Sequence, residues 1–154
     1  MTRVNLVDVK MLSDQHLFSE WREIKMVPAS LRRTLRSPKH KNTKSIIATV
    51  PSEFCLNKGH VTFFYDKMDF LGSRYAALSC ELHKRKYQLG STEFFSQFTY
   101  EIPDCFFNDW TPSPEDVSVS AERIITKIML RPEWYKHNKQ PLSSKFYEYY
   151  IELL

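Results

Sequence analysis

Phe64, Met68, Leu71, Tyr75, Leu78 and Leu82 follow one another at alternating steps of four and three residues within the segment 61–86. That spacing returns to one face of a helix at every turn and to no single face of a strand. It predicts a long core helix, with Lys84, Arg85 and Lys86 near its negative C-terminal end and Gly72 marking close packing against a neighbour. Shorter stretches repeat the pattern. Ser13 or Asp14 can cap a helix that runs to Ile24 and buries Leu17, Trp21 and Ile24. Pro28 opens a short helix that buries Leu31 and Leu35 and turns Arg32, Arg33 and Arg36 outward. Ser113 and Pro114 open another, burying Val117, Ala121, Ile124 and Ile128 and stopping at Pro132. The stretch SPKHKNTKS, 37–45, reads as a basic mobile loop, and the aromatic tail after Arg131 has no clear periodicity.

Eight prolines against three glycines favour helices joined by proline-marked turns over a sheet of hairpins. At 154 residues, 42% of them hydrophobic, the chain can bury one core without staples. The expected architecture is mainly α, a compact single-domain bundle of about three principal helices with connecting loops. Residues 1–154 form that one domain, with a C-terminal extension from about residue 141 left unassigned.

The formal charge is +4, and its distribution is lopsided. From Arg22 to Val50 the chain carries Arg22, Lys25, Arg32, Arg33, Arg36, Lys39, Lys41 and Lys44 against the single acid Glu23. Between Tyr87 and Glu122 there is no lysine or arginine, while acids accumulate from Glu93 to Glu122. A positive surface opposite a negative one suits a polyanion bound on one side, although two ordinary solvated faces give the same tally.

Cys55, Cys80 and Cys105 are odd in number and far apart, so neither a disulfide framework nor a structural zinc site is expected. They read as buried thiols in a reducing compartment. No apolar run is long enough for a signal-peptide core or a membrane span, so the expectation is a soluble intracellular protein. Phosphate-binding and dinucleotide glycine loops are missing, as are the zinc signatures H-E-x-x-H and H-x-E with P-C-x-x-C. His16, His40, His60, His83 and His137 lie at no metal-ligand spacing, and each reads as a surface or hydrogen-bonded residue. What remains is Glu23, set among Arg22, Lys25 and the N-terminal Arg3. Taken alone, a carboxylate among cations is a salt-bridge partner.

Four stretches say more. MTRVNL, LSDQHLFSEWREI, GHVTFFYDK and RPEWYK occur in that order between Thr2 and Lys136. They closely resemble the pyrimidine-dimer DNA glycosylase and AP lyase family, phage endonuclease V and its chlorella-virus relatives. The resemblance implies that Met1 is removed and that the α-amine of Thr2 is the nucleophile, with Glu23 as the second catalytic residue. An α-amine has a reference pKa about 2.5 units below that of lysine, so roughly 300-fold more of it is free base near neutral pH. By the same resemblance Arg3, Gln15 and Arg22 line the damaged site, and His16 is counted with the substrate- and DNA-binding residues. Lys25, Arg32 and Arg33 belong to the DNA-binding surface, and so do Arg123, Lys127, Trp134, Tyr135 and Lys136 on the last helix and tail. Met26 departs from the pattern, standing where the phage enzyme has an arginine. The implied partner is double-stranded DNA containing pyrimidine dimers or abasic sites, bound by a monomer, kinked, and with the adenine opposite the lesion extruded. No metal and no organic cofactor is implied, nor any membrane. A viral enzyme of this kind acts on DNA in the infected cell and can be packaged in the virion. A noncatalytic double-stranded DNA-binding protein on the same scaffold is the alternative. A metal-dependent nuclease would need a convergent carboxylate pair that the basic region does not offer.

Overall fold

A computed structural model of the chain describes residues 4–90 and 97–154. The architecture is mainly helical. A 3-10 turn at Val9–Met11 leads into α1 (Asp14–Glu23) and α2 (Met26–Leu35), followed by the short helices α3 (Thr43–Ile47) and α4 (His60–Phe63). The longer α5 (Met68–Lys84) and α6 (Pro114–Leu130) come next, with a 3-10 turn at Asp104–Phe106 between them. A two-stranded hairpin, β1 (Lys136–His137) with β2 (Gln140–Pro141), and α7 (Ser144–Leu153) complete the chain. No helix among the described residues is long and apolar enough to cross a membrane.

The helix starts follow the expected chemistry. Ser13 Oγ accepts the His16 amide at 3.2 Å. Ser113 and Asp116 exchange side-chain and backbone bonds in a capping box, with Pro114 in the first turn. Leu17 and Ile24 are fully buried and Trp21 nearly so, where α1 packs on α5. There the Trp21 indole N–H donates to Ser79 Oγ at 2.9 Å and its ring stacks on Tyr75.

The segment 61–86 is not one helix. It breaks between Phe63 and Met68, where Lys67 leaves helical geometry (φ −128°, ψ 41°) and its ammonium donates to the Phe63 carbonyl and to Asp66, each at 2.8 Å. Phe64 and Met68 are both completely buried on either side of the break. A four-residue step therefore survived the turn, because both residues land in the same core. Gly59 precedes α4 with φ +96°, where any other side chain is strained, and a Cβ there would press on Pro51 at 3.2 Å and Cys55 at 3.3 Å.

Other expectations change as well. α2 starts at Met26, two residues before Pro28, and the end of the supposed loop is α3, capped by Asn42 and anchored by the buried Ile46. Arg85 does stand at the C-terminal end of α5, as its cap residue, but with its charge engaged inside the molecule. It is buried, paired with Asp14 at 2.8 Å and Glu81 at 2.9 Å, and donates to the Leu12 and Lys10 carbonyls. Of the cysteines, Cys80 and Cys105 are exposed and Cys55 half-buried, so they are not core thiols.

The same Asp14 shapes the tail. Asn138 (φ 50°) and Lys139 (φ 65°) form the two-residue turn between β1 and β2, and both of their amides donate to the Asp14 carboxylate. Past residue 141 the chain forms α7, which packs on α6, buries Phe146 and Tyr150, and ties the Tyr150 hydroxyl to the Met11 carbonyl at 2.9 Å.

At the other end, Val4, Asn5, Leu6 and Val7 are buried without belonging to a strand. Side chains supply their hydrogen bonds instead. The Val4 amide donates to His60 Nε2 at 2.9 Å, the Leu6 amide to Ser120 Oγ at 3.1 Å, and the Val7 carbonyl accepts from Arg74 at 2.8 Å. His60 is itself oriented by a 2.7 Å bond from Nδ1–H to the Cys55 carbonyl, which leaves Nε2 as acceptor for Val4.

Candidate active site

The face of α1 opposite its core stripe carries Gln15, His16, Ser19 and Glu23, one or two turns apart. That face forms one wall of a pocket of about 300 Å3. Arg123 and Lys127, one turn apart on α6, form another wall, and Trp134 and Tyr135 from the tail close it. Asn5 and Glu20 lie at the buried end.

That buried end is wired. Glu20, fully buried, receives two bonds from Arg74, at 2.7 and 3.1 Å, and a third from Asn5 Nδ2 at 2.9 Å. With its amide nitrogen committed to Glu20, Asn5 turns its oxygen to accept from Arg123 Nη2. The guanidinium of Arg123 is thus held in the pocket by a residue 118 positions away.

His16 stacks flat on Tyr135 and shares a 2.8 Å hydrogen bond between Nδ1 and Ser13 Oγ. Burial, reinforced by Arg123 and Lys127, lowers its pKa to about 4, so the ring is neutral near pH 7. Gln15 joins α1 to the tail, donating to the Trp134 carbonyl at 2.6 Å and accepting from the Lys136 amide at 3.1 Å. Glu23 is half-buried and makes no hydrogen bond or ion pair with any described residue. The salt-bridge reading of this carboxylate therefore finds no described partner.

A family model described as pyrimidine dimer DNA glycosylase matches residues 1–93. The chain belongs to the pyrimidine dimer DNA glycosylase family. The match takes in the glycosylase's α1 wall of the pocket, with Glu23, and ends before α6 and the tail that supply the other walls. Family membership implies a DNA substrate.

The remaining residues singled out in the sequence fall in four groups. Thr2 and Arg3 lie outside the described residues. Arg22 is exposed on the next face of α1, 6.0 Å from the Phe18 ring, and Arg33 is exposed on α2. Neither lines the pocket. Lys136 lines an adjoining cleft with Phe18, Tyr87 and Trp134.

Lys25 and Arg32 behave differently from the expectation of free surface cations. Lys25 lies 4.5 Å from the Trp21 ring and 5.3 Å from Phe98, and burial followed by Arg22 lowers its pKa. Arg32 does not point outward. Its guanidinium sits 4.0 Å from the Tyr100 ring, with Nε and Nη1 buried and without hydrogen-bond partners among the described residues. Beside it Arg36 pairs with Glu101 at 2.6 Å. Phe98, Tyr100 and Glu101 thus lie across Lys25, Arg32 and Arg36, so part of the acidic segment covers part of the basic one.

Asn5, Glu20, Arg74 and His60 were not singled out as site residues. Glu20 did carry a signal, since it lies three residues after Leu17 and next to Trp21, at the edge of the buried stripe, where a charge needs a partner. Arg74 carried none. Among the described residues no cluster of three or more His, Cys, Asp or Glu side chains could hold a metal ion.

Proposed function

We propose that this chain removes a base at cyclobutane pyrimidine dimers in double-stranded DNA and then cuts the strand, working as a monomer with residues 1–154 as one domain. After loss of Met1, the Thr2 nitrogen attacks C1′ of the 5′ nucleotide of the dimer, and the glycosidic bond breaks with its electrons leaving on the base. Opening of the sugar gives a Schiff base. Loss of the C2′ proton expels the 3′ phosphate by β-elimination, and hydrolysis of the imine frees the enzyme.

The observation that carries this reading is Glu23, which has no hydrogen-bond or ion-pair partner among the described residues and shares a pocket wall with Arg123 and Lys127. A carboxylate that no described residue engages is available to oppose positive charge growing on the sugar and then to accept the C2′ proton. Neutral His16 adds no positive charge beside that developing cation. Arg123 and Lys127 suit the flanking phosphates, and Lys136 adds positive charge in the adjoining cleft.

Support for the Thr2 amine comes from its neighbours in the chain. Val4 is pinned by His60, and Asn5 lines the pocket. Asn5, a lining residue of the pocket that holds Glu23, stands three positions after Thr2 in the sequence.

Borohydride reduction during reaction with a dimer-containing duplex is the test. The expected product is a covalent protein–DNA adduct on the α-amine of Thr2, formed equally well in excess EDTA. An adduct on a lysine side chain, or full activity with the N-terminus acetylated, overturns the assignment. Binding without any cleavage leaves a noncatalytic DNA-binding protein.

A further inference from the structure

α6 ends at Leu130, and the last residue of its buried stripe is Ile128. Leu130 is 78% exposed and Trp134, one turn further along the chain, is 57% exposed. The two side chains flank a cleft of about 350 Å3 whose other lining residues are Lys127, Arg131 and Tyr135. Trp134 is shared between this cleft and the Glu23 pocket, so the apolar pair stands at the edge of the candidate active site.

A leucine this exposed contributes nothing to the core. Two large exposed apolar side chains lining one cleft with Lys127 and Arg131 mark a surface that something apolar flanked by negative charge will cover. The stacked bases of DNA between two phosphate rows have that character. A phosphate alone does not suit the spot, because the end of α6 presents carbonyl oxygens and the negative end of its dipole. Lys127 and Arg131 provide for phosphates on either side.

We propose that Leu130, backed by Trp134, is an apolar wedge that enters the base stack beside the lesion and unstacks it, opening the sugar to the Glu23 pocket. The proposal rests on the DNA glycosylase reading above and adds a positioning residue to it. Leu130 does not touch the reacting atoms. Its contribution is to hold the DNA distorted.

The probe is a duplex with one tetrahydrofuran abasic analogue, which has no base to lose and binds without reacting, and with 2-aminopurine in the opposite strand facing it. The parent protein should raise the 2-aminopurine fluorescence on saturation, and Leu130→Ala should give a rise smaller by about threefold or more. Leu130→Met should restore most of the signal. On a second duplex that also lacks the opposite base, and so is already unstacked, the Kd of Leu130→Ala should stay within about twofold of the parent value. Because Leu130 is exposed, the thermal midpoint of both variants should be unchanged. Equal fluorescence from the parent and Leu130→Ala overturns the wedge, and so does an equal loss of affinity on both duplexes, which would mark a general contact. A parent protein that cuts ultraviolet-irradiated DNA while Leu130→Ala opens the duplex normally sinks the wedge alone. A parent protein that neither binds nor cuts such DNA sinks the glycosylase reading itself.

Discussion

The imidazole of His16 lies flat on the ring of Tyr135, centroids 5.0 Å apart and planes 4° from parallel, sealing the seam between α1 and the tail. The contact favours the neutral ring, since burial together with Arg123 and Lys127 lowers the His16 pKa from 6.5 to about 4. The unfolded chain therefore takes up this proton first as the pH drops. The stability His16 confers is complete above about pH 6.5 and is lost as the pH falls through about 4, an effect on the order of 3 kcal/mol at most. Calorimetry from pH 7 to pH 4 should show the midpoint falling, with a shallower slope in His16→Gln. An identical slope in that variant would place the titration elsewhere.

Glu23→Gln keeps the size of the side chain and removes its charge and basicity. Base release and strand scission should both slow by about two orders of magnitude or more in single-turnover assays. Affinity for a dimer-containing duplex should hold or rise. The thermal midpoint should barely move, because no described ion pair is lost. Near-parental cutting by a folded, DNA-binding variant would end the catalytic role assigned to Glu23.

Glu20 is a different carboxylate, three residues away and fully buried against Arg74. Glu20→Gln leaves the buried Arg74 guanidinium without its counter-charge and should cost about 3–5 kcal/mol in urea unfolding. It should also slow turnover at temperatures where the variant is folded, since one acceptor oxygen is left for Arg74 and Asn5 together and the hold on Asn5, which aims it at Arg123, weakens. A cost below about 1 kcal/mol, typical of exposed pairs, would contradict that account.

The contact of Glu101 with Arg36 occupies a cation that DNA phosphates would otherwise use. Both side chains are well exposed, so Glu101→Gln should leave the midpoint unchanged while tightening DNA binding by about twofold or more at low salt. Lys127→Ala should act in the opposite sense and flatten the salt dependence of binding by about one counterion. Fluorescence anisotropy titrations over a salt series read both. Unchanged affinity in Glu101→Gln would mean that the covered cations lie off the DNA path.

The sequence by itself determined the elements whose causes are local. Ser13 and Ser113 cap helices because a hydroxyl satisfies amides two or three residues away, and Leu17, Trp21 and Ile24 share a face because of helix geometry alone. Glu23 was legible as the one acid in a basic stretch carrying a family motif. Tertiary structure decided the rest, for a consistent reason: buried charges and unpaired amides choose partners by proximity in space. Arg85, at the end of α5, took Asp14, 71 residues away, as its partner, and Arg32 turned under Tyr100. Asn5 came to hold Arg123 because Glu20 and Arg74 fixed its orientation, a chain of four residues that no local spacing relates. The break before Met68 was hidden for the complementary reason. Hydrophobic period records which residues reach the core, and Phe64 and Met68 both reach it whether the backbone between them is helix or turn.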